Sequence, residues 1–405
     1  MIETKISYGA NSSFELRRLK DFAKINKGKQ LKDDEYFNGP YPYINGGMKP
    51  SGYINIYNNQ GPFIAISEGG ASAGYSQIFE GNVWVGAHCY VLKTNQNLKY
   101  VYYVLKGFEK EIMNRKTGSA MPNLQKSKFN NTLFPIIYNS HKQENIVKYL
   151  DKINYILLKQ IKKYNKKIEL LKEYKESLIY ETVTKGLDKN VKMKDSGIDW
   201  IDRIPNNWSI KRLKNFCTKK NKITNNENLD ALSLSFGEVV KKNIEILEET
   251  KMSYQKVDKQ DIIINPLNLN FDLKSLRVGV SHIEGCISTG YIILKNKKED
   301  IEYIKYLFHL FDILKMKQLG SGVRQTLNFT LLKNCSFPLP SVIEQKQISI
   351  FLNEKTNIIN KEIDSLYKKI ELMEELIESI IYECVTGKLN IEVDGEKYQK
   401  IIESI

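Results

Sequence analysis

Apolar side chains recur at helical spacing over a long stretch, Lys142 to Lys185. This stretch contains no glycine and no proline. The steps between these apolar positions are 4, 3, 4, 4, 3, 4 and 3 residues, followed by 7. This heptad pattern with one four-residue stutter is typical of a long helix packed against another helix. The predicted seam consists of Ile146, Leu150, Ile153, Leu157, Ile161, Tyr164, Ile168, Leu171 and Leu178.

A second stretch shows the same pattern at an offset of 202 residues. Its seam positions are Ile348, Leu352, Lys355, Ile359, Ile363, Leu366, Ile370, Met373 and Ile380. Two long helices that share one stutter predict each other as partners, because their apolar seams have the same spacing. About 40 residues at ~1.5 Å each would form a rod of roughly 60 Å.

The segments outside these helices, 13–139 and 190–341, have a different texture. Val, Ile, Tyr and Phe alternate or run together between Gly, Asn and Pro, which predicts short strands joined by turns. In the second segment, strands are predicted at 261–267 and 285–294. One amphipathic helix is predicted in each segment, at 98–117 and at 301–317. Both segments are therefore predicted to be α+β domains.

The helices and the domains repeat together, so the chain contains one module twice. Gln143–Leu187 aligns without a gap on Gln345–Leu389, with 20 of the 45 paired positions identical. FELRRLKDF is echoed by WSIKRLKNF, and GSAMPNLQKSKFNNTLFP by GSGVRQTLNFTLLKNCSFP. A long period that occurs twice indicates two copies of a domain-sized unit rather than a solenoid. The two copies would present two similar surfaces, which suits the binding of a two-part site on a symmetric polymer.

The charge of the chain favours an anionic partner. Lys and Arg total 61 against 47 Asp and Glu, which gives a net charge of +14. Nucleic acid and anionic membranes are the usual partners of such proteins, and a Lys/Asn/Ile-rich proteome is the alternative explanation. The sequence has no apolar run of ~20 residues and no signal-peptide pattern, which predicts no membrane contact. Five scattered cysteines without a CxxC pair predict reduced thiols in a cytoplasmic protein, and no metal site is predicted.

A search for catalytic motifs finds none that is complete. No GxxxxGK motif followed by Ser or Thr is present, which removes the usual signal of nucleotide hydrolysis. The Gly-rich segment Glu68–Gly74 is interpreted as a tight loop rather than a phosphate cradle. Asn265-Pro266-Leu267-Asn268 is only partly similar to the Asn-Pro-Pro-aromatic loop of DNA amino-methyltransferases, since the second Pro and the aromatic residue are missing. We therefore predict a protein that binds and has no catalytic residues.

These repeated elements resemble the specificity subunits of type I restriction–modification systems. The resemblance is carried by DSGIDWIDRIPNNWSIKRLK (195–214), GCISTGYIIL (285–294), SVIEQKQISIFLNEKTNIIN (341–360) and the helix ends ESLIYETVTKGL and ESIIYECVTGKL. Together with the repeated segments of the first half, the resemblance extends from about Phe14 to Leu389. The first half departs from the pattern because it lacks the DSGIDWIDRIP segment, has HKQENI where the second half has IEQKQI, and ends in VTKGL instead of VTGKL.

The resemblance implies an α+β fold of two tandem pseudo-symmetric modules. Each module is an α/β target-recognition domain followed by a long helix, and the two helices pair as an antiparallel coiled coil. The implied boundaries are 1–140 and 190–341 for the recognition domains, 141–189 and 342–390 for the helices, and 391–405 for a charged tail.

The resemblance also implies a function and partners. Each domain would read one half of a bipartite site in double-stranded DNA. The helices would set the spacer and dock two methyltransferase subunits, and restriction subunits would join the complex. S-adenosylmethionine, ATP and Mg²⁺ would bind to those partners, with no cofactor on this chain. Three alternatives stay open: a coiled-coil scaffold of another DNA-modification complex of type IIG or IIB, a modification enzyme with cryptic chemistry, and a coiled-coil assembly protein without DNA affinity.

Candidate DNA-contacting residues are the polar and basic side chains near turns, because Arg, Lys, Asn and Gln match base edges while Lys, Arg and Ser reach phosphates. In the first domain they are Lys49, Ser51, Ser72, Tyr75, Arg115, Lys116 and Ser119. In the second they are Lys219, Lys220, Asn268, Asn270, Lys274, Arg277, Ser321, Arg324 and Gln325. For each of them, a solvated surface position without DNA contact is the alternative, and Tyr75 is the one expected to pack in the domain.

Overall fold

The computed structural model describes residues 13–32, 37–114, 123–221, 223, 229–235, 237–244, 246–267, 277–321, 326–391, 395, 396, 400 and 402. Its contacts divide the chain into two compact units. Unit 1 comprises Met1–Lys166 and Leu366–Ile405, and unit 2 comprises Lys167–Ser365. Each unit thus combines one globular segment with parts of both long helices, whereas the boundaries predicted from the sequence follow the chain linearly.

The first globular segment contains ten described strands and four short helices before the first long helix. They are β1 (Glu15–Arg18), α1 (Leu19–Phe22), β2 (Ala23–Lys27), β3 (Phe37–Ile44), β4 (Gly52–Ile54), β5 (Asn59–Gln60), β6 (Phe63–Ser67), β7 (Ser76–Phe79), β8 (Asn82–Val85), β9 (Cys89–Thr94), α2 (Leu98–Gly107), α3 (Glu109–Met113), α4 (Lys126–Asn130), β10 (Leu133–Ile136) and the long helix α5 (Ser140–Lys185). The single helix predicted at 98–117 is wrong, because a break at Phe108 divides it into α2 and α3.

The second segment follows the same plan with additional hairpins. Its elements are β11 (Met193–Ile198), β12 (Ile201–Pro205), β13 (Ser209–Arg212), α6 (Leu213–Phe216), β14 (Cys217–Lys220), β15 (Leu232–Ser235), β16 (Glu238–Lys241), α7 (Glu248–Met252), β17 (Gln255–Val257), β18 (Asp261–Ile264), β19 (Val278–Val280), β20 (Gly285–Ile287), β21 (Ile292–Asn296), α8 (Ile301–Leu314), a 3₁₀ helix (Met316–Leu319), β22 (Gly320–Ser321), β23 (Thr326–Leu327), α9 (Phe329–Leu332), β24 (Ser336–Leu339) and the long helix α10 (Val342–Thr386).

The two units contain the same central sheet. In unit 1 the strand order is β2-β9-β6-β7, and in unit 2 it is β14-β21-β18-β19, with every neighbouring pair antiparallel. A two-stranded ribbon accompanies each sheet, β1 with β10 and β13 with β24. The central strands β6 and β18 are buried along their whole length, which matches the apolar runs at 63–66 and 262–264 within them. The repeated topology confirms the predicted pair of α+β modules.

A buried glutamine ties each long helix to its own globular segment. In unit 1, Gln143 Oε1 accepts from the backbone N–H of Asn97 at 3.0 Å, and its Nε2 donates to the carbonyl of Ile137 at 2.6 Å. In unit 2, Gln345 Oε1 accepts from Asp300 N at 2.8 Å and its Nε2 donates to Pro340 O at 3.0 Å. Asn97 and Asp300 are the N-caps of α2 and α8. Each glutamine therefore fixes the start of a domain helix against the start of a long helix.

Within unit 1, the beginning of α5 runs antiparallel to the end of α10. Asn145 and Ile146 line a small cavity together with Cys384. Further along α5, the Tyr164 ring lies 5.8 Å from Lys369 Nζ. As positions on α5 increase, their partners on α10 decrease, which is the antiparallel direction. A Cβ added at Gly107 would lie 2.8 Å from Val385, so α2 packs closely on the end of α10.

The same direction holds within unit 2 for the other halves of the helices. Lys167 pairs with Glu362 at 2.7 Å, and Lys175 donates to Asn360 at 2.9 Å. Near the end of α5, a Cβ at Gly186 would meet Glu344 at 3.1 Å. The antiparallel orientation that the resemblance implied is thus present in each unit, while supercoiling of the helices remains a prediction.

The predicted seam of α10 requires one correction. Lys355 is exposed, and the neighbouring Thr356 is buried in its place. The Thr356 hydroxyl donates to Leu352 O at 2.7 Å and lies 3.0 Å from the Tyr306 hydroxyl. A lysine ammonium keeps its hydration when it stays at the surface, whereas a threonine can satisfy its hydroxyl inside. The four-residue step therefore falls earlier in α10 than in α5, where Ile153 occupies the seam.

Candidate DNA-reading surface

Half of the predicted DNA-contacting residues lie outside the described part of the chain. These are Arg115, Lys116, Ser119, Asn268, Asn270, Lys274, Arg324 and Gln325. Only the backbone of Ser321 is described, as the second residue of β22. The assignments of these residues to DNA contact stay predictions.

Lys49 and Ser51 occupy an exposed turn between β3 and β4 of unit 1. The turn is fixed by backbone and side-chain hydrogen bonds: Ser51 N donates to Tyr43 O at 2.8 Å, and Gln77 Nε2 donates to Gly47 O at 3.2 Å. Tyr53, the middle residue of β4, is 54% exposed. A fixed turn that presents a lysine, a hydroxyl and an aromatic ring suits phosphate and base contacts. Both residues are exposed, and their contact with DNA stays a prediction.

The Gly-rich loop after β6 is a tight turn, as the sequence predicted. Gly70 and Gly74 have φ values of +75° and +98°, which favour glycine, and Gly74 N donates to Ser67 O at 2.8 Å. The Ser72 hydroxyl donates inward to the carbonyl of Gly46. The Tyr75 ring lies under Lys106 Nζ at 4.0 Å, and burial raises the pKa of this tyrosine. Tyr75 therefore packs in the domain, and neither side chain is presented as a DNA contact.

Lys219 and Lys220 are neighbours on β14 with different surroundings. Lys219 is exposed, with its Nζ 5.2 Å from the Phe329 ring. Lys220 is largely buried, with its side chain 13% exposed, and its Nζ lies 2.6 Å from carboxylate oxygens of both Asp258 and Asp261. Hydrogen bonds from Lys220 and then Lys256 lower the pKa of Asp258 to about 2. The Lys220 ammonium thus forms ion pairs with two carboxylates, and this geometry does not support its predicted contact with phosphate.

Arg277 is also buried, which contradicts its prediction as an exposed DNA contact. The residue is 6% exposed and immediately precedes β19. Its backbone N–H donates to Asp312 Oδ2 on α8 at 2.6 Å, and its carbonyl accepts from Asn265 N at 2.8 Å. Burial raises the pKa of Asp312, and this effect is opposed by the hydrogen bond and charge of Arg277. Arg277 therefore belongs to the interior of unit 2.

A polar groove in unit 1 was missed by the sequence analysis. It has a volume of about 650 Å³ and its wall contains Lys27, Glu68, Tyr90, Asn123, Gln125, Lys126, Ser127 and Asn130. These residues come from β2, the Gly-rich loop, β9, α4 and the segment just before α4, so they are dispersed in the sequence and meet only in the fold. The repeat alignment gave one available signal, because the segment that contains Gln125 and Lys126 is echoed in the second half.

The described residues contain no group of three or more His, Cys, Asp and Glu side chains placed to hold a metal ion. Among the helices in this part of the chain, none is both long and apolar enough to cross a bilayer.

Comparisons with known proteins agree with the repeated architecture. Residues 11–170 match the family model for the type I restriction modification DNA specificity domain. The type I restriction enzyme MjaVIII specificity subunit of Methanocaldococcus jannaschii is 26% identical over 420 residues, covering 94% of this chain and 93% of that protein. A solved structure concerned with complex assembly and conformational transition of the type I R-M system has a TM-score of 0.68 at 13% identity, covering 94% of this chain and 100% of that chain. At this identity the structural likeness concerns the fold.

These relatives are DNA specificity subunits of type I restriction–modification systems. The chain is similar to the type I restriction–modification DNA specificity family, in residues 11–170 to its domain model and over 94% of its length to a specificity subunit. It is a DNA sequence-specificity subunit, and the subunits of this family are not themselves catalytic.

Proposed function

We propose that units 1 and 2 each read one half of a bipartite sequence in double-stranded DNA. The observation that carries this proposal is the repetition of one sheet topology and one glutamine hydrogen-bond pattern in both units. Two domains with the same backbone fold but different surface side chains can each bind a different DNA sequence. A net charge of +14 supports a partner with a phosphate backbone.

The long helices are proposed to dock two methyltransferase subunits and to set the spacer between the half-sites. Supporting this role, each helix carries exposed apolar side chains outside its buried seam, as at Tyr155, Leu158, Ile350 and Leu372. Exposed apolar residues of this size on a long helix suit a protein partner. In this proposal, restriction subunits complete the complex, and S-adenosylmethionine, ATP and Mg²⁺ bind to the partner subunits.

The catalytic role is proposed to lie entirely with those partners. The supporting observation is the lack of any complete catalytic motif in the sequence. The purified chain should neither methylate nor cleave DNA, and it should support methylation when its methyltransferase subunit and S-adenosylmethionine are added. Sequencing the methylated positions in a host that carries all subunits then reveals the motif. A motif of two fixed half-sites separated by bases of any sequence is the expected result.

Two outcomes would contradict this proposal. Methylation by the chain alone, surviving repurification, would assign it the cryptic chemistry considered above. A binding titration with no dependence on salt would remove the DNA role, because phosphate contacts release counterions and give a steep negative slope against salt.

A further inference from the structure

The polar groove of unit 1 has a carboxylate in its wall that is held by the fold. Glu68 is 7% exposed, and its backbone is fixed on both sides. Its N–H donates to His88 O at 2.8 Å, and its carbonyl accepts from Leu124 N at 2.7 Å. Glu68 therefore connects the start of β9 to the segment before α4, and its position cannot shift without moving both.

The side chain of Glu68 is oriented as firmly as its backbone. The Tyr90 hydroxyl donates to Oε1 at 2.7 Å, and Lys27 Nζ lies 3.0 Å from Oε2. A carboxylate has about four acceptor sites, and these two donors use two of them. Within the described residues, the hydrogen bonds of Glu68 thus leave acceptor capacity on a side chain in the groove wall.

The neighbouring side chains make the groove suitable for a base edge. Asn123 and Gln125 provide amides that can both donate and accept, and both are exposed. Lys126 and Ser127 begin α4 at the same wall and can contact phosphate. The combination of one fixed acceptor, adaptable amides and flanking cations differs from a plain phosphate clamp, in which a carboxylate would repel the ligand.

We propose that Glu68 reads the exocyclic amino group of a cytosine or adenine in the half-site recognised by unit 1, with Gln125 contacting the same base pair or its neighbour. This inference rests on the proposed function. In the major groove, only cytosine N4 and adenine N6 present an amino donor, and a carboxylate is a matching acceptor. Glu68 thus becomes a specificity-determining residue, and Tyr90 positions its carboxylate.

A structural role for the Glu68–Lys27 pair is the competing explanation. The lysine side chain is 57% exposed, so it remains well hydrated and can compensate only part of the cost of burying the carboxylate. Unit 2 offers a matched carboxylate in Glu299, whose side chain is 7% exposed and lies 3.1 Å from Lys211 Nζ. Glu299 accepts from Gln345 Nε2 at 2.7 Å, so it belongs to the helix attachment.

The test replaces Glu68 by Gln in the full chain, assembled with its methyltransferase subunit, and determines the methylated motif. The substitution keeps the size of the side chain and one acceptor oxygen, and it places a donor where the base presents its own donor. We expect methylation at the original motif to fall about fivefold to 150-fold, which corresponds to the ~1–3 kcal/mol of one lost base contact. One position of one half-site should become degenerate, and the other half-site should stay unchanged.

Two further variants separate base reading from folding. Gln125→Ala alters an exposed side chain, should leave thermal unfolding unchanged, and should relax the same position or the adjacent one. Glu299→Gln is the control for loss of a buried, lysine-paired carboxylate, and it should change stability without changing the motif. If Glu68→Gln fails to fold, Gln125→Ala alone decides the inference.

The possible results distinguish failure of the inference about Glu68 from failure of the proposed function. A wild-type complex that methylates without sequence preference overturns both the proposed function and this inference. A wild-type bipartite motif that persists unchanged in Glu68→Gln and Gln125→Ala overturns the inference and leaves the proposed function intact. An equal loss at all sequences also overturns it, since that result assigns the groove to phosphate or to stability.

Discussion

The side-chain oxygen of Gln345 accepts a hydrogen bond from the backbone N–H of Asp300 at 2.8 Å. Asp300 is the N-cap of α8, and its own carboxylate accepts from Tyr303 N at 2.9 Å. The side-chain amide of Gln345, in the first turn of α10, thus binds the backbone of the residue that caps α8. Gln143 does the same for Asn97 in unit 1, so the attachment between domain and long helix is a repeated device.

Replacing Gln345 by Met should destabilise unit 2. Met fills a similar volume but removes the acceptor for Asp300 N and the donor to Pro340 O, and buried groups left without partners cost about 1–3 kcal/mol. Chemical denaturation measures the free energy of unfolding. Gln347→Met is the matched control, because Gln347 is exposed on the same helix and should change stability by less than about 0.5 kcal/mol. Equal effects of the two variants would contradict a role for the Gln345 hydrogen bonds.

The structure predicts opposite consequences for two adjacent lysines. Lys220→Met should lower the free energy of unfolding by about 3 kcal/mol, since the Asp261 side chain is 3% exposed and would lose its cation. Lys219→Met should leave stability unchanged and flatten the salt dependence of DNA binding by about one unit of slope, as for one phosphate contact. Denaturation and salt titration of both variants provide the check. A flattened slope for Lys220→Met with unchanged stability would restore the sequence-based prediction.

The ion pair of Asp258 should give stability a defined dependence on pH. The pKa of Asp258 in the folded protein is lowered to about 2, chiefly by Lys220, below the ordinary value of ~3.9. A lowered folded pKa contributes stability that is complete above about pH 4 and is lost as the pH falls toward 2. The difference in unfolding free energy between wild type and Asp258→Asn should therefore shrink over this interval. In a Lys220→Met background the same comparison should show a smaller change, because only Lys256 then lowers the pKa of Asp258. A change as large as that in the wild-type background would refute Lys220 as the chief cause.

The end of α5 should depend on a glycine. Gly186 has a φ of +76°, and an added Cβ would meet Glu344 Oε1 at 3.1 Å and Trp208 at 3.3 Å. Gly186→Ala should therefore cost about 1–2 kcal/mol, because a left-handed backbone strains an L side chain. Gly186→Asn should cost less, since Asn tolerates this region better. Gly290→Ala is the control, with its nearest neighbour at 3.7 Å. Thermal unfolding that ranks Gly290→Ala with Gly186→Ala would count against the prediction.

The sequence alone determined the module, its duplication and the presence of two long helices, whose ends lie four residues before the limits 189 and 390 that the resemblance implied. The helices begin at Ser140 and Val342, which are 202 residues apart, as the alignment requires. They end at Lys185 and Thr386, because VTKGL and VTGKL place the left-handed glycine at positions that differ by one in the repeat. Periodicity and helix termination are local properties, and local sequence is sufficient to specify them.

Only the tertiary structure decided which polar side chains are available to DNA. Lys219 and Lys220 are identical in type and adjacent, yet strand alternation and two distant aspartates bury the charge of one of them. Arg277 resembles a surface residue in the sequence, but it immediately precedes β19 and its backbone N–H donates to Asp312 on α8. Glu68 was part of a loop interpreted only by its glycines, and its groove forms from segments as far apart as Lys27 and Gln125. Burial and charge pairing depend on residues remote in the chain, so no local pattern could reveal them.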